Sequence, residues 1–488
     1  MTYNILIINL ISIISIMFLY NISLYTHKVY NIYIIWPYIK KIGLLTTILL
    51  LYNIIIYNIL FNSNILGYQF IDNIFNINWG IDSISLLLLS LLFILLPIAL
   101  LSNWININNK FTAIYNILII LLGLLMALNF ICLDIISFYI LFESTLAPLF
   151  ILIGIYGALN KNRASYYILI YTLFSSLYML LSLSIILYIY NDSDYNTINN
   201  YILCYDIQCI IYIGLMIGIL VKAPVWPVHS WLPIAHSESP IGGSILLAGV
   251  ILKIAIYGII RLILINTADA NLLFIPIIYT ICVITIIYIG IITIRQYDLK
   301  VIIAYSSIGH MAVCIMGILS NNIIGINGSI ILSISHGLVS PSLFIIVGAI
   351  LYDRYHNRLL FYYQGLATYM PILSIYLIIY SLCNIGIPLS GNFIGELLSF
   401  IGSYNINPIL TIIGTISVLI SACYQMRLST KLIGGNKSIY MYITQDMNNR
   451  ELLMLNILLI PIILIGVTPY YITNLLDINI SGLLYHII

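Results

Sequence analysis

The sequence predicts an all-α polytopic membrane protein of about fourteen transmembrane helices, and three observations carry that prediction. Hydrophobic residues make up 62% of the 488-residue chain and charged residues only 7%, at a mean hydropathy of +1.12, a balance no soluble domain of this length shows. Fourteen apolar runs approach the roughly 20 residues a helix needs to cross a hydrocarbon core. Lysine and arginine gather after the odd-numbered runs, the alternation expected when cytoplasmic-type loops retain positive charge.

The first run, 4–23, has neither a charged leader nor a small-residue cleavage site, so it is expected to stay in the membrane. Runs two to four lie at 42–61, 83–101 and 111–130. Run five, 135–155, reads ISFYILFESTLAPLF at its middle and holds Glu143 there; run six is 166–190. Run seven, 207–226, ends in VKAPVWPVHSWLPIAHSESP, with Lys222, Pro224, Pro227, His229, Pro233, His236 and Pro240. Proline removes a backbone donor and clashes with the preceding turn, so a helix must break there. Run eight, 243–264, carries Lys253; run nine is 272–294; runs ten and eleven, 301–319 and 323–351, carry His310 and His336. Run twelve, 372–401, holds a second break at Pro388 and Gly391 just ahead of Glu396. Runs thirteen and fourteen are 408–426 and 452–467, and the tail after Pro469 is placed at the membrane interface.

Sidedness follows from the loops. Lys28, Lys40, Lys41, Lys110, Lys161, Arg163, Arg295, Lys300, Arg354, Arg358, Arg427, Lys431, Lys437 and Arg450 all follow odd-numbered runs, fourteen of the seventeen basic residues. Lys222 and Lys253 sit within runs, and Arg261 alone falls toward the opposite face, where Asp72, Asp82, Asp192, Asp194 and Asp206 lie. Both termini are then expected on the face opposite the positive loops. His27, His356 and His486 are read as loop or interface residues. The segment YDRYHNR, 352–358, is read as a charged loop, a snorkelling and packing feature.

Several classes are excluded. A net charge of +2 gives nucleic acid nothing to bind. The seven cysteines, at 132, 204, 209, 282, 314, 383 and 423, form no CxxC and no pair with histidine, which leaves no metal or iron–sulfur pattern. No glycine-rich nucleotide loop is present. The excess of Ile, Asn and Tyr, all with A/T-rich codons, points to an organellar genome.

The charges inside the runs carry the chemistry. A charge at mid-bilayer costs at least ~2.5–3.5 kcal/mol and marks a functional site by default. Glu143, Lys222, Lys253 and Glu396 are such charges, and His310 and His336 lie between the last two. Carboxylates, amines and imidazoles strung along one bundle are what a proton relay requires. Read as packing clamps instead, the same groups would form buried ion pairs. His229 and His236 are open between a relay role and capping of the carbonyls freed at Pro224. The breaks in runs seven and twelve lie five runs apart. Five being odd, runs four to eight and nine to thirteen would form two inverted five-helix repeats, each with a broken helix. The expected division is then 1–110, 111–264, 272–426 and 427–488.

Seven stretches bear a resemblance. FYILFESTLAP, VKAPVWPVHSWLPIAHSESP, GVILKIAIYG, RQYDLKVIIAYSSIGHM, SHGLVSPSLF, LYDRYHNR and IPLSGNFIGE, spanning about 133–400, resemble the antiporter-like membrane-arm subunits of respiratory complex I. Glutamate rather than lysine at position 396, and no long amphipathic helix after run fourteen, resemble the subunit 4 branch of NADH dehydrogenase (ubiquinone) rather than subunits 2 and 5 or the multi-subunit sodium/proton antiporters. The first ~80 residues carry no motif of it. The resemblance implies a non-redox, proton-pumping subunit of the mitochondrial inner membrane, with termini on the intermembrane-space side. Glu143 would pair with Lys222, Lys253 would join two half-channels, His310 and His336 would bridge, and Glu396 would be the terminal site. Other membrane-arm subunits and lipids would be its partners. NADH, FMN, iron–sulfur clusters and ubiquinone would be held by other subunits, with no cofactor or metal in this chain. A cation/proton antiporter subunit, stand-alone or multi-subunit, and a structural scaffold of the membrane arm are the alternatives.

Overall fold

A computed structural model describes residues 2–25, 29–74, 76–105, 107, 111–198, 203–438, 440–442 and 444–485. Lys28, Lys110, His27 and His486 lie outside them. Helix one is Thr2–Tyr25 and helix two Val29–Leu60, so Lys40 and Lys41 stand within a helix that starts earlier than its apolar run. Helices three and four are Ser83–Ser102 and Thr112–Ile131. Helix five is split into Ile135–Ser144 and Leu146–Tyr156, and helix six is Lys161–Tyr190. Helix seven is split into Tyr205–Lys222 and Trp231–Glu238. Helices eight to eleven are Ile241–Asn266, Ala268–Arg295, Leu299–Ile318 and Ile323–Tyr355. Helix twelve is split into Pro371–Ile385 and Gly391–Tyr404. Helix thirteen is Pro408–Ile433, fourteen is Asn449–Val467, and a last helix covers Tyr470–Tyr485. Among the described residues twelve of these are long and apolar enough to cross a membrane, and the chain is a polytopic all-α membrane protein.

Prolines explain the splits. Pro148 cannot donate to the Ser144 carbonyl, and helix five bends at Thr145, two residues past Glu143. Pro224 and Pro227 end helix seven at Lys222; Pro388 separates the halves of helix twelve, whose second half restarts with Ser390 accepting from Phe393 N. Helix eight stays helical throughout but widens into π turns at Leu247–Ile251 and Ile259–Ile263, on either side of Lys253, and nothing in its sequence announced them.

The centre of the bundle is set by burial. The apolar window of helix eleven is 100% buried and that of helix eight 94%, against 28% for helices two and thirteen at the periphery. Two glycine contacts bring the central helices together. Gly249 of helix eight and Gly337 of helix eleven cross so closely that a Cβ on Gly337 would lie 2.9 Å from the Gly249 carbonyl. On the other side of helix eleven, a Cβ on Gly395 of helix twelve would lie 2.6 Å from the Leu332 backbone. Small residues permit this approach, and dispersion and hydrogen bonding between helices then hold it.

Two sequence expectations are corrected. A two-stranded antiparallel hairpin, Gln69–Ile74 with Ile77–Ile81, stands between helices two and three, where only a loop was expected. The segment 352–358 is not wholly a loop: helix eleven runs on to Tyr355, and the chain turns at His356 with φ of 51°. Its arginines pack, as that reading expected. Arg354 pairs with Glu451 at 2.7 Å and Arg358 with Glu238 at 3.7 Å, tying helix eleven to helices fourteen and seven. The last helix packs inward through Leu476 and Ile480, with Asp477 accepting from Asn327 at 2.6 Å and Asn479 donating to Ser83 at 2.8 Å.

Polar ties separate by face. At the end holding the positive loops, Lys40 donates to the Trp104 carbonyl at 2.7 Å and Lys300 to that of Ser239 at 3.1 Å. At the other end Asn78 donates to Asp134 at 3.2 Å and to Asp194 at 2.8 Å. There burial, reinforced by the two neighbouring aspartates, pushes the Asp134 carboxyl up to about 6.

Candidate functional site: a buried line of titratable side chains

The glycine crossing places Lys253 one turn beyond Gly249, beside His336, which directly precedes Gly337. Lys253 Nζ donates to the Ala248 carbonyl at 2.6 Å and lies 3.1 Å from His336 Nδ1. Both side chains are fully buried. The His336 and His310 rings stand 5.2 Å apart, centre to centre. His310 Nδ1 then lies 2.7 Å from Glu396 Oε1, a buried pair across helices ten and twelve. Lys253, His336, His310 and Glu396 thus form one line through the bundle centre, lying on helices eight, eleven, ten and twelve. A proton can hop between such groups at hydrogen-bond distance, or across one intervening water, without either partner leaving its rotamer. A cavity of about 20 Å³, room for about one water, adjoins the far end and is lined by His310, Glu396, Ser306, Ser417 and Tyr424.

The other two predicted groups form a separate pair. Lys222 is 2% exposed and ends the first half of helix seven. Its ammonium donates to the Phe142 carbonyl at 2.6 Å and lies over the Phe142 ring. Glu143 is the next residue, with both carboxylate oxygens buried and neither reaching a hydrogen-bond partner; Lys222 and Ser176 are its polar neighbours. The two charges therefore sense one another without a salt bridge, and a locked clamp is not what the geometry shows.

At the break of helix seven, Trp231 Nε1 donates to the Val221 carbonyl at 2.9 Å and so caps a freed acceptor. His236 does not cap: its ring stacks on Phe344 at 4.6 Å, and neither ring nitrogen has a partner. It lies within electrostatic reach of Lys253 and Lys300. His229 borders the rings of Tyr288 and Tyr305, with Nδ1 unpartnered.

Some neighbours escaped the sequence reading. Arg261, two turns beyond Lys253 on the same face of helix eight, is 2% exposed and pairs with Asp82, the N-cap of helix three. Tyr68 accepts from the guanidinium at 3.1 Å, and the Tyr257 ring lies 5.1 Å from it. The spacing 253, 257, 261 was the available signal, since i, i+4 and i+8 share a helix face. Lys300 and Arg358, read as loop residues, line a cavity of about 450 Å³ together with Glu238, which the sequence reading did not single out. Among the described residues no group of three or more His, Cys, Asp or Glu stands together as a metal site.

Comparison with known proteins places this arrangement. Residues 132–421 match the family model described as NADH:quinone oxidoreductase/Mrp antiporter, TM, more than half the chain and every residue of the central line. The NADH-ubiquinone oxidoreductase chain 4 of Wickerhamomyces canadensis is 55% identical over 474 residues, 92% of this chain and 93% of that one.

The chain belongs to the chain 4 branch of this family.

The chain 4 of Yarrowia lipolytica is 47% identical over 485 residues, covering 96% of this chain and 100% of its own. Among solved structures, a chain of respiratory complex I from Thermus thermophilus superposes with a TM-score of 0.83 at 22% identity, covering 92% of this chain and 95% of that one. A chain of the Mrp complex from Dietzia superposes with a TM-score of 0.82 at 15% identity, covering 99% and 98%. At those identities the fold is what is shared. The family fold is therefore common to complex I and Mrp assemblies, while the chain 4 sequence relatives set the branch.

Proposed function

We propose that this chain 4 member is a proton-translocating, non-redox subunit of NADH:ubiquinone oxidoreductase in the mitochondrial inner membrane. One observation carries the reading: the buried line Lys253–His336–His310–Glu396, in close polar contact at its two ends, with the two imidazole rings 5.2 Å apart at its centre. Glu143 and Lys222 act as the switch at the near end. With no salt bridge fixing them, a small displacement of Glu143 changes the field at Lys222 and hence when that lysine gives up its proton. Lys222 hands on to Lys253, and the imidazoles carry the charge across helix eleven to Glu396. Two inverted units, 111–264 and 272–426, would each supply one broken helix to this path.

The rest of the reading follows from the same charges. The positive loops face the matrix, and both termini face the intermembrane space. Neighbouring membrane-arm subunits and lipid cover the exposed apolar helices, and NADH, flavin, iron–sulfur and quinone chemistry lies in other subunits. A scaffold would pair Glu143 with Lys222 and would not interrupt helices beside its charges.

The test is made on the assembled complex. Lys253→Met should leave assembly and NADH oxidation by an artificial acceptor near normal while quinone-coupled proton pumping drops severalfold. Normal pumping in that variant would sink the reading.

A further inference from the structure

Lys253 has two polar continuations. To the side it meets His336 of helix eleven at 3.1 Å. Along its own helix, Tyr257 and Arg261 follow at i+4 and i+8 on the same face, both buried, which carries the polar column about 12 Å further. The guanidinium lies 5.1 Å from the Tyr257 ring and 5.1 Å from the ring of Tyr68, whose hydroxyl accepts from it at 3.1 Å. Tyr68 is partly exposed and within electrostatic reach of Asp194, so the column ends at the face opposite the positive loops. Tyr195 adds a buried hydroxyl without a hydrogen-bond partner, within reach of Arg261, Tyr257 and Tyr68. Asp82, buried at the N-cap of helix three, holds the arginine. The π turn Ile259–Ile263 is centred on Arg261, and such turns gather at functional positions.

Tyrosine hydroxyls and a carboxylate can pass protons on, so these groups offer Lys253 a direct way out along helix eight. Arginine is the member that cannot take part. Its guanidinium presents donors and no acceptor, and it keeps its proton at any pH a protein survives. A hydrogen-bonded chain is therefore interrupted where Arg261 stands, and the fixed positive charge repels a hydronium, as arginines do in water-selective pores. A simple tie between helices three and eight gives no reason for the arginine to lie in line with Lys253. Resting on the relay reading above, we propose that Arg261, held by Asp82, is a proton barrier. It stops Lys253 from discharging straight to the face opposite the positive loops, so that the proton leaves through His336. Arg261 carries no proton itself in this role; it acts by closing the shorter route.

The test compares two variants of similar shape in the assembled complex. Asp82→Asn accompanies each, so that no buried charge is left unpaired and the N-cap is kept. Arg261→Gln leaves an uncharged polar side chain that can hold water; Arg261→Met fills nearly the same space and cannot. Both lose the tie to Asp82, so a packing role responds to both alike. Proteoliposomes carry the complex held at rest by a quinone-site inhibitor, and proton entry is followed under a potassium diffusion potential. Entry should rise at least threefold in Arg261→Gln/Asp82→Asn and stay within about 1.5-fold of the unmodified complex in Arg261→Met/Asp82→Asn, at equal assembly on a native gel. Equal proton entry in the two overturns the proposal. Adding Lys253→Met to the leaking variant should close it; a leak that persists there bypasses Lys253 and also overturns the proposal. Should neither variant assemble, a high-resolution map of the unmodified complex decides: a file of water running from Lys253 past Arg261 to Tyr68 overturns the barrier, and a file broken at the guanidinium supports it. Lys253→Met alone separates this from the wider reading. If that variant pumps normally the relay itself fails; if it loses pumping while Arg261→Gln/Asp82→Asn stays tight, only the barrier fails.

Discussion

At the scale of single residues, the buried charges were legible because the bilayer makes them costly, and their partners were not. Glu143, Lys222, Lys253 and Glu396 stand out in apolar runs whatever the fold. Which atoms they meet depends on helix crossings that no local pattern encodes. Glu143 and Lys222, which the sequence put together, do lie within electrostatic reach of one another, but the lysine's donation to the Phe142 carbonyl was not foreseeable and the carboxylate accepts no hydrogen bond from it. This has a consequence for substitution. An unpaired buried carboxylate is costly and its loss need not unfold anything. Glu143→Gln should therefore lower pumping severalfold with normal assembly, and Glu143→Asp should be milder because the charge remains. Proton pumping and native-gel assembly in the same membranes check this; parallel loss of both would indicate a clamp.

At the scale of elements, proline is the readable signal and glycine contact the hidden one. Pro224, Pro227 and Pro388 announced the breaks of helices seven and twelve, but Pro148 was passed over although it splits helix five next to Glu143. The π turns of helix eight and the Gly249–Gly337 crossing carry no such mark, because a glycine in an apolar run has many uses. The crossing is nonetheless what sets Lys253 against His336. Gly249→Val should push helix eight from helix eleven, since its Cβ would meet Leu95 and Pro341, and should lower pumping and assembly together. The Asp82–Arg261 tie makes a complementary case. Asp82→Asn removes the N-cap charge and leaves a buried guanidinium uncompensated, a loss of about 3–5 kcal/mol for a broken buried pair. Reduced thermal stability of the membrane arm is the expected result, and an unchanged melting point would show that Tyr68 and Tyr257 suffice to hold Arg261.

Across the whole molecule, three of the basic residues predicted to share a face are tied to neighbouring helices: Lys300, Arg354 and Arg358 bind acceptors or carboxylates contributed by helices seven and fourteen. The hairpin at 69–81 was missed because two short strands between long apolar runs have too few residues to show an alternation. The proposed relay was legible as six titratable groups in order along the chain. Its division into a pair and a line of four was not, since that follows from three-dimensional packing alone. The central claim is that the line of four works as one unit, and the most direct test is a double-mutant cycle on proton pumping per electron in assembled complex. Lys253→Met, His336→Phe and the double variant should lose pumping to the same degree, because a broken chain cannot be broken twice. Losses that multiply in the double variant would mean the two residues serve independent routes, and would contradict the account.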